Sequence, residues 1–320
     1  MTASSSTPIL PSAGGTTVSA VLQRAQTQLE AAQLAYGHGT TNAHDEAAWL
    51  VLWQLGLPLD SDLDALASQP VSAEQHAAVQ ALIERRITTR QPAAYLTRQA
   101  WLQGVPFYVD ERVIVPRSFI AELIANADGA ESIDPWLGAH THRVLDLCTG
   151  NGSLAVLAAL AWPEVTVDAA DISTDALAVA RINVEQHNLQ ERIRLIESDG
   201  WANLPERYDL ILCNPPYVSR TGMDALPPEY RAEPLISLDG GLQGGHDGMD
   251  FVRHLLAHAL AHMNEHAVLV LEIGNEREHF ERAFPTLLAY WPETTSGEGP
   301  VLLLTHEALS DWAATQGVLA

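Results

Sequence analysis

Residues 143–171 read RVLDLCTGNGSLAVLAALAWPEVTVDAAD, and their order decides the fold. A strand-length apolar run, RVLDLC (143–148), enters a glycine turn, TGNG (149–152); a helical run follows and Pro163 closes it before a second strand-like run, VTVDAAD (165–171). Parallel strands need a crossover of a dozen or more residues, usually a helix, and this stretch supplies one. The alternation continues with a helix from Thr174, RIRLIES (192–198), YDLILC (208–213), a long Pro/Gly-rich loop, a helix from Asp247, AVLVLEI (267–273) and a helix from Asn275. Two closing runs, LLAYW (287–291) and VLLLTH (301–306), complete it. The pattern predicts an α/β fold with a Rossmann-like, mainly parallel, doubly wound sheet covered by helices on both faces.

Towards the amino terminus the period changes. Apolar residues recur three and four apart in 21–36, 43–56 and 72–87, punctuated by Gly37, Gly56 and Pro58, and Ser72 with Gln75 has the spacing of a capping box. A small helical domain over 18–91 is expected. Two aromatic and β-branched runs, YLTRQAWL (95–102) and FYVDERVIV (107–115), then predict a β-hairpin linker over 92–116. The catalytic domain is expected over 117–308, with a tail over 309–320. Residues 1–17, rich in Ser, Thr, Gly and Pro, read as a disordered lead-in without the features of a signal peptide.

The 320 residues carry a formal charge of −23 and no lysine, so all 17 basic groups are arginines. Such a molecule is repelled by polyphosphate outside a local basic face, and a basic protein partner fits it better than DNA. The longest apolar run, Leu154–Trp162, is far shorter than the roughly 20 residues of a membrane span. Cys148 and Cys213 cannot build a disulfide framework; they read as small apolar fillers in a protein of the reducing cytoplasm.

In open α/β sheets ligands sit beyond the carboxyl ends of the strands. Asp146, Cys148, Thr149, Gly150, Asn151 and Gly152 occupy that place after the first strand, in a turn that lets backbone approach a small molecule but lacks both the full GxGxxG spacing and a P-loop lysine. Asp171, 25 residues beyond Asp146, has the spacing of a carboxylate that accepts ribose hydroxyls. Asp199-Gly200-Trp201 after the third strand offers an acceptor for an exocyclic amine and an aromatic face for a purine. Together they describe a nucleoside carrier without a phosphate grip, and S-adenosylmethionine matches that description. Acids at strand ends are equally often solvated caps or turn formers.

The fourth strand runs into Asn214-Pro215-Pro216-Tyr217. Two prolines hold the backbone rigid, and the Asn214 side-chain oxygen with the Pro215 carbonyl can accept both N–H protons of a planar amide, turning its nitrogen lone pair towards a methyl donor. Tyr217 can pack on the planar group. No metal or strong base is needed.

The glycine turn followed by NPPY is shared by class I S-adenosylmethionine-dependent methyltransferases that act on planar NH2 groups. With the helical amino-terminal domain, the hairpin and FYVDERVIVPRS (107–118), the chain resembles the bacterial HemK/PrmC and PrmB glutamine methyltransferases from about residue 20 to 308. Val115-Pro116-Arg117-Ser118, Cys148 and LEIGN (271–275) favour the PrmB-type branch, which methylates a glutamine of the third large-subunit ribosomal protein. The resemblance implies a small helical substrate domain and cofactor contacts at Cys148 to Gly152, Asp171, Asp199 or Trp201, and Asn214. It also implies substrate contacts at Asn214, Pro215, Pro216 and Tyr217, with S-adenosylhomocysteine as product. Gly200 is a departure, because relatives often have the acid and aromatic adjacent. Alternatives are a release-factor glutamine methyltransferase, a DNA adenine or RNA guanine amine methyltransferase, and a non-catalytic assembly factor.

Three further signals are ambiguous. His254, His258, His262 and His266 fall four apart, more in keeping with a solvated polar face than with a zinc site. The loop DGGLQGGHDG (239–248) reads as a substrate-side flap. Arg85, Arg86, Arg90, Arg98, Arg112 and Arg117 form the one basic stretch able to contact ribosomal RNA weakly.

Overall fold

A computed structural model describes residues 16–204, 206–241 and 245–316, in two compact units that divide between Thr97 and Arg98. Most of the expected lead-in lies outside the described residues. Thr16 and Thr17 are ordered: the Thr16 carbonyl accepts from Val71 N at 2.7 Å, and the Thr17 hydroxyl caps the first helix through Ala20 N.

The first unit contains α1 (Val18–Ala31), α2 (Ala43–Leu55), the single turn α3 (Leu63–Leu66), α4 (Ala73–Thr89) and α5 (Ala93–Thr97). The three-and-four spacing places Val21, Ala25 and Leu29 of α1, Ala47, Leu50 and Val51 of α2, and Val79 and Ile83 of α4 in one core. Ser72 and Gln75 close the capping box of α4 from both sides, at 3.1 and 3.0 Å. Arg86 Nε and Glu46 Oε1 form a buried ion pair here at 2.8 Å.

The second unit opens with the hairpin of β1 (Ala100–Leu102) and β2 (Val105–Phe107), paired Ala100 to Phe107. The hairpin is shorter than the expected linker. It belongs to this unit because Leu102 and Phe107 are buried in its core, and Asn183 clamps Tyr108 through both backbone groups at 2.7 and 3.0 Å. Then follow α6 (Phe119–Ala125), β3 (Arg143–Leu147), α7 (Ser153–Ala161), β4 (Thr166–Asp171), α8 (Thr174–Gln186), β5 (Ile193–Glu197), β6 (Tyr208–Cys213) and α9 (Arg220–Ala225). The chain ends through α10 (Asp250–His262), β7 (Met263–Glu272), α11 (Arg277–Ala283), the two-residue strands β8 (Glu293–Thr294) and β9 (Gly297–Glu298), β10 (Val301–Thr305) and α12 (His306–Gln316).

The main sheet has the order β10-β7-β6-β3-β4-β5, parallel except for β10, which pairs antiparallel with β7. The period of two divides its side chains between two cores. Val144, Leu210, Leu212, Val268 and Val270 face the α6, α7 and α8 side, whereas Leu145, Leu147, Ile211, Leu269 and Leu271 face α10 and α12. The chain runs outward from β3 to β5 and then returns to the other side of β3 as β6. That reversal leaves a crevice at the carboxyl ends of β3, β4 and β6.

Two sequence expectations need correction. LLAYW (287–291) forms no strand beyond an isolated bridge from Tyr290 to Leu303. The expected tail from 309 is helix through Gln316, because Leu309 is fully buried and Ala313 nearly so against the sheet.

Candidate active site

A cavity of about 680 Å³ opens at this crevice, bounded by the turn after β3, the ends of β4 and β5, the Asn214-Pro216 segment after β6, and one face of α10. Asp146 lies behind the turn after β3. The carboxylate is fully buried, and its Oδ2 accepts from the Thr149 hydroxyl at 2.5 Å and from Ala155 N at 3.0 Å, tying β3 to α7 across the turn. Burial raises its pKa to about 7. The turn above it uses a left-handed residue at Cys148 (φ +62°), which brings Cys148 and Gly150 to the cavity wall.

Asp171 fixes the next edge. Its Oδ2 accepts from Gly150 N and its Oδ1 from Ser173 N, each at 2.9 Å, so the strand end and the glycine turn are one hydrogen-bonded piece. Each oxygen keeps a second lone pair for a ligand hydroxyl. Burial raises this pKa, while the backbone donors of Ser173, Gly150 and Ile172 counter it. Asp199 stands exposed on the same cavity, and Asn214 and Pro216 complete the wall. The Asn214 side-chain amide makes no hydrogen bond to the described residues, which leaves it available to a ligand.

The cavity thus gathers Cys148, Gly150, Asp171, Asp199, Trp201, Asn214 and Pro216 of the sequence-expected set. Asp146, Thr149, Asn151, Gly152, Pro215 and Tyr217 are not on its wall. Asp146, Thr149 and Asn151 are buried behind the turn, where they shape it and touch no open space. Tyr217 turns away from the cavity: its hydroxyl lies 3.4 Å from Glu272 Oε1, and its ring occupies the room left by Gly274, where an added Cβ would sit 2.7 Å from Cε2. Glu272 is itself held by the Ser118 hydroxyl at 2.5 Å and Phe119 N at 3.0 Å, which joins the VPRS segment to the NPPY turn. Trp201 reaches the wall with little of its surface, being 6% exposed and donating Nε1–H to the Leu255 carbonyl.

Residues 242–244 of the glycine loop lie outside the described residues. The loop's two ends are packed, not slack: Gly240 and Gly248 lie against the Tyr217 backbone, where a Cβ would meet Tyr217 Cα at 2.7 Å and Tyr217 O at 2.1 Å respectively.

His254 and His258 of the histidine row are exposed, as a solvated face requires, and together with the half-buried His262 they also line the cavity. Sequence reading detected their spacing and missed their position. Ile236, Asp239 and Phe251 also line it, with no signal in their own types. Among the described residues, no group of three or more His, Cys, Asp or Glu is placed to hold a metal ion.

Most of the basic stretch is engaged within the protein. Arg86 pairs with Glu46, Arg90 bonds the carbonyls of Ala32 and Gln33, Arg98 the Tyr108 hydroxyl, Arg112 Asp110, and Arg117 Glu233. No helix among the described residues is long and apolar enough to cross a membrane.

The chain is 49% identical over 293 residues to the ribosomal protein uL3 glutamine methyltransferase of Bordetella pertussis, covering 91% of this chain and 95% of that one. The chain belongs to this methyltransferase family. A further member, from Neisseria meningitidis serogroup B, is 47% identical over 296 residues, covering 92% of this chain and 94% of that one. Residues 130–226 match the family described as Methyltransferase small domain, a span that contains the glycine turn, Asp171, Asp199 and NPPY. For a methyltransferase of this family the cofactor is S-adenosylmethionine. The donor set fits it: a carboxylate at Asp171 for a ribose, backbone and small side chains at Cys148 and Gly150 for close approach, and, among the described residues, a lining without an arginine or lysine that would repel a sulfonium.

Proposed function

We propose that the protein transfers the methyl group of S-adenosylmethionine to the side-chain amide nitrogen of a glutamine in ribosomal protein uL3, the substrate in the names of its relatives. The observation that carries the reading is Asn214, an unengaged amide on the wall of the cavity that also presents Asp171 and Gly150. The cofactor supplies an activated methyl on a sulfonium leaving group and ends as the neutral thioether S-adenosylhomocysteine. Asn214 Oδ1 and the Pro215 carbonyl accept the two amide N–H groups, weakening the nitrogen's conjugation and aiming its lone pair. The proton that nitrogen loses passes to solvent. Tyr217 supports the turn from behind, anchored to Glu272.

The partner of this acidic chain is a basic protein, in keeping with the charge of −23, and the helical unit of residues 18–97 serves its recognition. Any ribosomal RNA contact is secondary, because the arginines that suggested it are largely engaged. DNA and membranes are not partners, and the natural setting is the cytoplasm.

Transfer of labelled methyl to four purified acceptors tests this: uL3, a class I release factor, duplex DNA and ribosomal RNA, each with an Asn214→Ala control. Label on uL3 alone is expected. Label on the release factor would keep the chemistry and change the partner, and label on nucleic acid would overturn the substrate class.

A further inference from the structure

Helix α10 turns a face of imidazoles towards the cavity. His254, His258 and His262 recur every fourth residue, so they lie along one side of the helix, and that side meets the turn Asp199-Gly200-Trp201 after β5. His262 is already engaged. Its ring stacks on the Trp201 indole at 4.6 Å and 7°, and its Nδ1 lies 3.3 Å from the Glu206 carbonyl. Trp201, buried under that stack and bonded to Leu255, therefore has little of its face left for a planar ligand.

His254 and His258 are placed differently. Both are exposed while lining the cavity, their ring centroids are 4.8 Å apart, and neither ring hydrogen-bonds a described residue. Gly200 explains how they reach the wall. A Cβ built there would lie 3.3 Å from Cδ2 and Nε2 of His254, and the residue has φ +53°, so a side chain at 200 would both strain the backbone and crowd the imidazole. The glycine inserted between Asp199 and Trp201 is fitted to the histidine of α10. It also turns the acid outward and the indole inward.

We propose that His254 and His258 form the purine-binding wall of the cavity, in the place expected for Trp201, with Asp199 accepting the exocyclic amine. The inference rests on this cavity being the S-adenosylmethionine site. An imidazole offers a flat π face and, at its edge, one donor and one acceptor nitrogen, the features that a purine's face and edge require. Ile172, directly after Asp171 and 48% exposed on the same cavity, adds apolar surface for the ring.

Calorimetric titration of the full chain tests the assignment with two probes, S-adenosylmethionine and 5′-methylthioadenosine; the latter keeps the adenine, ribose and thioether but lacks the amino-acid end. The wild type binds both, and His254→Ala/His258→Ala is expected to weaken both by about tenfold, in line with the loss of aromatic surface under one base. The milder His258→Asn, which leaves the Gly200 contact untouched, is expected to weaken both by about threefold. A wild type that binds neither probe would overturn the cofactor reading and this inference together. Variants that bind both probes as the wild type does would overturn the inference alone. Loss for S-adenosylmethionine without loss for 5′-methylthioadenosine would put the imidazoles at the amino-acid end and overturn the purine assignment.

Discussion

The Tyr217 hydroxyl stands 3.4 Å from Oε1 of Glu272, so the last residue of NPPY is fastened to the end of β7 and not presented to the cavity. Burial raises the Glu272 pKa to about 7, while Ser118 and the first backbone donors of α6 oppose the rise. The Tyr217 ring fits because position 274 is glycine at φ +53°. Gly274→Ala must displace that ring, an overpacking cost of about 1–3 kcal/mol. Turnover is expected to fall about tenfold or more with cofactor affinity within a few fold, as read by steady-state kinetics and calorimetry. An equal loss in both quantities would show that Tyr217 does not act through the NPPY turn.

Asn214→Ala removes the acceptor proposed to hold the substrate amide. Removing one such preorganised group costs about 10²–10³ in turnover. Because Asp171, Gly150 and Asp199 remain, S-adenosylmethionine binding is expected to change only a few fold. Unchanged turnover with uL3 would refute the role given to the asparagine.

Asp146 and Glu272 both have folded pKa values raised to about 7. Their unfolded values lie near 4, so over that interval the native state keeps protons that the unfolded chain has released. Stability contributed by these groups therefore declines as pH rises from about 4 to about 7, by at most about 1.4 kcal/mol per pH unit for each. Asp146→Asn cannot ionise. Thermal melting of cofactor-free protein across this range should show the variant gaining on the wild type as pH increases, and a constant difference would count against the buried acid.

In the helical unit, Arg86 and Glu46 are 1% and 2% exposed. Burial raises the Glu46 pKa and Arg86 pulls it back down. Glu46→Ala leaves the guanidinium buried without its carboxylate, which costs about 3–5 kcal/mol. Urea unfolding followed by far-ultraviolet circular dichroism should show that loss, and Glu46→Met/Arg86→Met should lose less than either single change. A double variant as unstable as the sum of the singles would mean the pair is not coupled.

Strand ends were legible because their information is local. A short apolar run ending in an acid or in Asn-Pro-Pro specifies both a strand and the residue left at its carboxyl end, and the sheet then brings Asp171, Asp199 and Asn214 to one crevice. The capping box at Ser72 was readable for the same reason. Where the signal was a bare apolar run, as at LLAYW, strand and turn could not be told apart, and the tail expected from 309 is helix because contacts with the distant sheet bury Leu309.

By itself, then, the sequence determined the α/β class, the helical first unit, the position of the glycine turn and the Asn214-Pro215-Pro216-Tyr217 segment, since each depends on neighbours within a few residues. Only the tertiary structure decided which way the side chains at those positions turn. Trp201 is drawn inward by Leu255, 54 residues away, and Tyr217 by Glu272, 55 residues away, while α10 brings its histidines into the cavity. Those choices are made by packing between segments far apart in the chain, and no local periodicity records them.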